Sequence, residues 1–184
     1  MSVEANRILG STLQQDDGFL TEVGRLTSLF TRVEGLLVES AKGFVRVIDT
    51  PELHAQAKST KLLRLRFVDK LQLVRAIVVE VGRFYNVDPA RLLRLLDQLG
   101  GLNQLRRIVV HGSLVCDEDD SHPMFVDGRG NTTSAWLWDV LTINQQVLDW
   151  YAEYNNEQLR FASVILEQID SFIRRHRDRF AWLN

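Results

Sequence analysis

From Val147 to Ile173 the apolar side chains fall on one helical stripe: Val147, Leu148, Tyr151, Tyr154, Leu159, Ala162, Ile165, Leu166, Ile169, Phe172 and Ile173. A period near 3.6 residues is the signature of an amphipathic helix, and a stripe this long needs other helices to cover it. Thr142 followed three residues later by Gln145 has the form of a capping box and predicts the start of this helix. About thirty-five residues rising 1.5 Å each make a rod of roughly 50 Å. The alternative is two collinear helices broken near Asn155-Asn156.

Shorter stripes precede it. Phe19, Val23, Leu26, Phe30, Val33 and Leu37 share one helix face, and Asp16 or Asp17 suits its N-terminus, where a carboxylate meets free backbone N–H groups. Thr50-Pro51-Glu52 reads as a capping hydroxyl followed by proline at the first helical position, opening a short helix. A second major stripe runs Phe67, Leu71, Val74, Val78, Val81 and closes between Gly82 and Tyr85. Asp88-Pro89 repeats the cap-and-proline device and starts a helix through Leu92, Leu93, Leu95, Leu96 and Leu99. Gly100-Gly101 is expected to break it, with Leu102, Leu105, Ile108 and Val109 resuming helical spacing up to His111-Gly112.

Residues 113–134 differ. Asp117-Glu118-Asp119-Asp120 is a charge run, Pro123 interrupts structure, and Asp127-Gly128-Arg129-Gly130-Asn131 is turn-forming. Met124-Phe125-Val126 before that turn predicts a small β-hairpin or ordered loop. The fold class that results is all-α: a bundle of four to five helices in a single domain over 1–184, with a loop or hairpin insert at about 113–134 before the long C-terminal helix. No stretch approaches the roughly 20 apolar residues of a membrane span. The first twenty residues carry Glu4, Asp16 and Asp17 and have no apolar core of a secretory signal. A cytoplasmic protein is expected. The lone Cys116 excludes an internal disulfide and a cysteine-based zinc cage.

The chemistry is sparse. There is no dinucleotide fingerprint, phosphate-binding P-loop, paired-histidine zinc motif, nucleophile elbow or EF-hand register, so no cofactor is expected. Cys116, the acidic run and His122 sit close in sequence but lack a recognisable ligand spacing, and a solvated loop without metal is expected there. Trp136 and Trp138 would share one side of an extended segment; Trp150 and Trp182 read as core or capping aromatics. Charge is segmented. Residues 42–113 hold thirteen Lys/Arg against six acids, whereas residues 1–41 and 114–184 carry net charges of −3 and −6. A basic middle suits a polyanion if its cations share a face, and is a set of solvated helix surfaces if they do not.

One constellation stands apart: Leu102-Asn103-Gln104-Leu105-Arg106-Arg107-Ile108-Val109-Val110-His111-Gly112. On a helix, Arg107 and His111 lie four apart and neighbour each other, while Arg106 and His111 are separated by roughly 140°. A guanidinium beside an imidazole can hold an anion and move protons, because histidine is the side chain that ordinarily titrates near neutrality. The alternative is that His111 caps the helix C-terminus ahead of Gly112.

This segment resembles the signature of the HEPN superfamily of nucleotide-binding helical domains, in which an arginine, four to six residues and a histidine end a bundle helix. Arg106, four intervening residues, His111 and Gly112 follow that order. Phe67-Val68-Asp69-Lys70-Leu71 is similar to the aromatic-x-x-Lys helix of such proteins. The irregular segment and the long helix after it are also alike, so the likeness spans roughly residues 20–175. Where the family commonly has Asn after the arginine, this chain has Arg107.

The resemblance implies a homodimer with the Arg-His helices facing each other, and a metal-independent endoribonuclease. In that reading His111 is the general acid/base for attack of the RNA 2′-hydroxyl on the adjacent phosphate. Arg106 stabilises charge on the phosphoryl oxygens, and Arg107 is a second phosphate contact. The family also contains inactive members. The alternative is accordingly a non-catalytic helical interaction or scaffold module with a cognate protein partner.

Overall fold

In a computed structural model, residues 17–48, 50–58, 61–115, 124–134 and 136–176 are described. Among them are five α-helices: α1 (Asp17–Phe44), α2 (Pro51–Lys58), α3 (Phe67–Tyr85), α4 (Ala90–His111) and α5 (Leu137–Arg175). Three short strands, β1 (Ser113–Val115), β2 (Met124–Val126) and β3 (Thr132–Ser134), lie between α4 and α5. The class is the expected all-α bundle with a small β insert before the long last helix. No described helix is long and apolar enough to cross a membrane.

The chain divides into two compact units, one of Met1–Arg32 with Gly101–Asp149 and one of Val33–Gly100 with Trp150–Asn184. In the first, the core gathers Leu26 and Phe30 of α1, Ile108 and Val109 of α4, and Val140, Ile143 and Val147 of α5, all buried. Phe19 stacks on Phe125 at 5.9 Å between ring centroids, closing α1 against the sheet. The Asn144 side chain donates to the Glu22 carbonyl at 3.1 Å and to its carboxylate at 2.7 Å, fixing α5 on α1.

In the second unit, Leu37, Val74, Ile77, Val78, Leu92, Leu96 and Tyr154 are buried together with Phe44 and Phe161, which meet edge to face at 5.6 Å. The Trp150 indole donates to the Leu95 carbonyl at 2.7 Å, so a buried ring keeps its N–H satisfied. Tyr85 donates to the Val47 carbonyl at 2.8 Å. Lys70, the lysine of the family-like helix, is buried and pairs with Glu34 at 2.5 Å.

The starts of α2 and α4 follow the proline signals. His54 N donates to the Thr50 carbonyl at 3.0 Å, and Asp88 caps α4 by accepting from Ala90 N at 2.9 Å. The end of α3 comes where expected, with Asn86 left-handed at φ 50°. Two expectations are corrected. Helix α4 runs unbroken through Gly100-Gly101: apolar burial of Leu96, Leu99, Ile108 and Val109 on both sides outweighs the intrinsic cost of two glycines. Helix α5 begins at Leu137 rather than Thr142, and the Thr142 hydroxyl donates instead to the Trp138 carbonyl one turn back, at 2.8 Å. The expected single rod, and not the alternative of two helices, is found: α5 continues through Asn155-Asn156, with the Asn155 amide donating to the Tyr151 carbonyl at 3.0 Å.

The apolar stripe of α5 is only partly core. Tyr154, Phe161 and Ile165 are buried, whereas Leu159, Leu166, Phe172 and Ile173 are exposed. The insert has one strand more than the expected hairpin. β1 pairs antiparallel with β2, and β2 with β3, the turn Asp127–Asn131 joining the last two. Trp136 and Trp138 are exposed, Trp138 within the first turn of α5. Cys116, the acidic run and His122 lie outside the described residues, as does Trp182.

Candidate functional site

The last two turns of α4 carry the three residues singled out by the motif. Helical periodicity separates them. Arg107 and His111 are both exposed, one turn apart on the same face. Arg106 is half-buried on another face, its guanidinium 5.5 Å from the centre of the Phe30 ring. That cation–π contact holds the arginine in place while withdrawing it from water. The structure therefore brings Arg107 to His111 and leaves Arg106 on the side facing α1.

Arg106 has no carboxylate partner among the described residues, and its Nε is buried without a hydrogen-bond acceptor. One turn earlier, the buried amide oxygen of Asn103 also lacks a partner. Several other cations of the basic middle are ion-paired. Arg66 pairs with Asp69, Lys70 with Glu34, Arg75 with Asp97, Arg83 with Glu80, and Arg91 with Glu153 and Glu157. Among the described residues, neither Arg106 nor Arg107 at the C-terminal end of α4 forms an ion pair. Cations are also favoured there by the partial negative charge of the helix terminus.

Gly112 makes the exit from this helix. Its N–H donates to the Ile108 carbonyl at 2.8 Å, and the chain then turns directly into β1. A Cβ at this position would stand 2.2 Å from the Ile108 carbonyl oxygen and 3.2 Å from that of Val126. The glycine of the motif is therefore a packing requirement, set first by the Ile108 carbonyl of its own helix and then by the approach of β2.

The sequence reading did not connect Asp127 to this site. Its carboxylate accepts from Arg129 N at 2.8 Å, from Asn131 N at 3.0 Å and from the Asn131 amide at 2.9 Å. Bonding to Asn131 and to the backbone of its own turn, with Arg107 as a further and smaller influence, holds this carboxyl below the usual aspartate range. The turn composition was visible in the sequence. Its placement beside Arg107 depends on β1, which is too short to leave a periodic signal.

Among the described residues no group of three or more His, Cys, Asp or Glu side chains could hold a metal ion. Compared with protein-family models, curated proteins and solved structures, the chain matches none.

Proposed function

We propose that the C-terminal end of α4 is an RNA-backbone site of the HEPN type, cutting RNA by attack of the substrate's own 2′-hydroxyl. The observation that carries this reading is exposed Arg107 one turn from exposed His111 on a single face, with Arg106 held over Phe30 on another and neither arginine in an ion pair among the described residues. A phosphate diester is a ligand that a guanidinium next to an imidazole recognises. The chemistry runs as a balanced transfer. His111 removes the 2′-hydroxyl proton, the oxygen attacks phosphorus, and the 5′-oxygen leaves with a proton from a second acid. A second copy of the chain, facing through the same helix end, supplies that acid as its own His111. The products are a 2′,3′-cyclic phosphate and a 5′-hydroxyl.

The purified protein should cleave unstructured RNA in the presence of EDTA and leave 2′,3′-cyclic ends. His111→Ala should lower the rate about 10²–10⁴-fold, and Arg106→Ala about 10²–10³-fold through loss of charge stabilisation, with the circular dichroism spectrum of His111→Ala unchanged. RNA left intact by the wild type under all conditions would refute the catalytic reading.

A second reading, a non-catalytic interaction module, draws on one observation as well. The Nε of Arg106 is buried against the protein, as in an arginine whose task is packing, and Arg107 fills the slot where the family commonly has Asn. In that case Arg106→Ala destabilises the fold, by about 0.5–2 kcal/mol from the cation–π contact, and no RNA is cut.

A further inference from the structure

The strand register brings the turn that bears Arg129 to the same helix end. Ser113 pairs with Val126, so Asp127, the next residue, stands level with Gly112 at the close of α4. The turn from Asp127 to Asn131 is then tied to one carboxylate, which receives N–H groups from Arg129 and Asn131 and feels the charge of Arg107. Arg129 is exposed in that turn, and neither it nor Arg107 forms an ion pair among the described residues. Arg107 on the helix and the turn that bears Arg129 therefore meet at Asp127, whose carboxylate is bonded mainly within its own turn.

We infer that Arg129 is a second-phosphate contact, so that a single RNA strand lies across His111 with its backbone gripped by Arg107 from the helix and by Arg129 from the turn. The inference rests on the RNA reading above and extends it to a residue that the Arg-His motif does not contain. Asp127 is the positioning residue: by fixing the turn through three hydrogen bonds it places Arg129 without the loss of backbone freedom that an open loop would incur on binding.

The test is fluorescence anisotropy of a labelled unstructured oligoribonucleotide with the full chain, over a series of salt concentrations. Each phosphate neutralised contributes about 0.7 to the slope of log K against log salt for single strands. Arg129→Ala is expected to reduce that slope by about 0.7, Arg129→Lys to retain it, and Arg64→Ala, an exposed arginine far along the sequence, to leave it unchanged. An unchanged slope in Arg129→Ala, or an equal loss in Arg64→Ala, overturns the assignment of Arg129 while the RNA site itself stands. Wild-type protein with no salt-dependent RNA affinity would remove the underlying RNA reading and this inference together.

Discussion

Gly112 and Tyr154 show how far a single residue can be constrained. At Gly112 any side chain must collide with the Ile108 carbonyl. Gly112→Ala should therefore lower stability by about 1–3 kcal/mol, the scale of an overpacked site, and thermal melting reads it directly. Tyr154 is fully buried, and its hydroxyl lacks a hydrogen-bond partner. Desolvation, opposed by the smaller influence of Ser40, pushes its pKa up to about 12. The sign follows from linkage. Above pH 10 an unfolded tyrosine releases its proton while the folded one retains it, so stability is full below about 10 and falls as pH climbs toward 12. The fall is on the order of 2–3 kcal/mol from this residue, and half-buried Tyr85, raised by the same cause, adds to it. Tyr154→Phe should be neutral or stabilising at pH 7, because it removes an unsatisfied hydroxyl, and it should flatten the alkaline limb of a denaturation series. A marked loss of stability at pH 7 would mean that the hydroxyl is bonded after all.

At the scale of elements, α4 and α5 show where local signals yield to packing. Gly100-Gly101 has the composition of a helix stop, yet the helix continues to His111. A Cβ at Gly101 meets nothing within 4 Å, and one at Gly100 makes ordinary contact with Leu71 at 3.8 Å. Neither glycine is required for close approach, so Gly101→Ala should raise stability by up to about 1 kcal/mol, measured by urea denaturation. Helix α5 was legible as a helix over nearly all its length, because periodicity summed over so many residues overwhelms any one position. Its start was not. A Thr-x-x-Gln pattern fits a cap, but Val140 and Ile143 are buried on either side of Thr142, and that apolar surface draws the preceding turns into the helix.

For the molecule as a whole, the net charge of −2 conceals a basic middle, in which Lys42, Arg66, Lys70, Arg75, Arg83 and Arg91 are paired with acids. At the end of α4, Arg106 and Arg107 form no such pair among the described residues, which no segment total reveals. If two such ends combine to provide two histidines, the protein is a homodimer. Light scattering should then return about twice the 21.2 kDa of one chain, and a monomer at every concentration would contradict the paired-site arrangement. An Arg107→Glu substitution should weaken RNA binding by reversing a charge in the cluster, and filter retention at low salt would register it.

The sequence by itself determined the all-α class, the positions of α1, α2 and α3, the existence of the long last helix and the helical neighbourhood of Arg107 and His111. These are consequences of spacing along one helix, where the geometry between residues is set by 3.6 residues per turn. Only the tertiary structure decided that Arg106 lies over Phe30, that the stripe of α5 divides into buried Tyr154, Phe161 and Ile165 and exposed Leu159, Leu166 and Ile173, and that the turn at Asp127 stands beside the end of α4. Such relations join residues distant in the chain. They are settled by which apolar faces find each other and by the pairing register of three-residue strands, and neither is encoded in the local period.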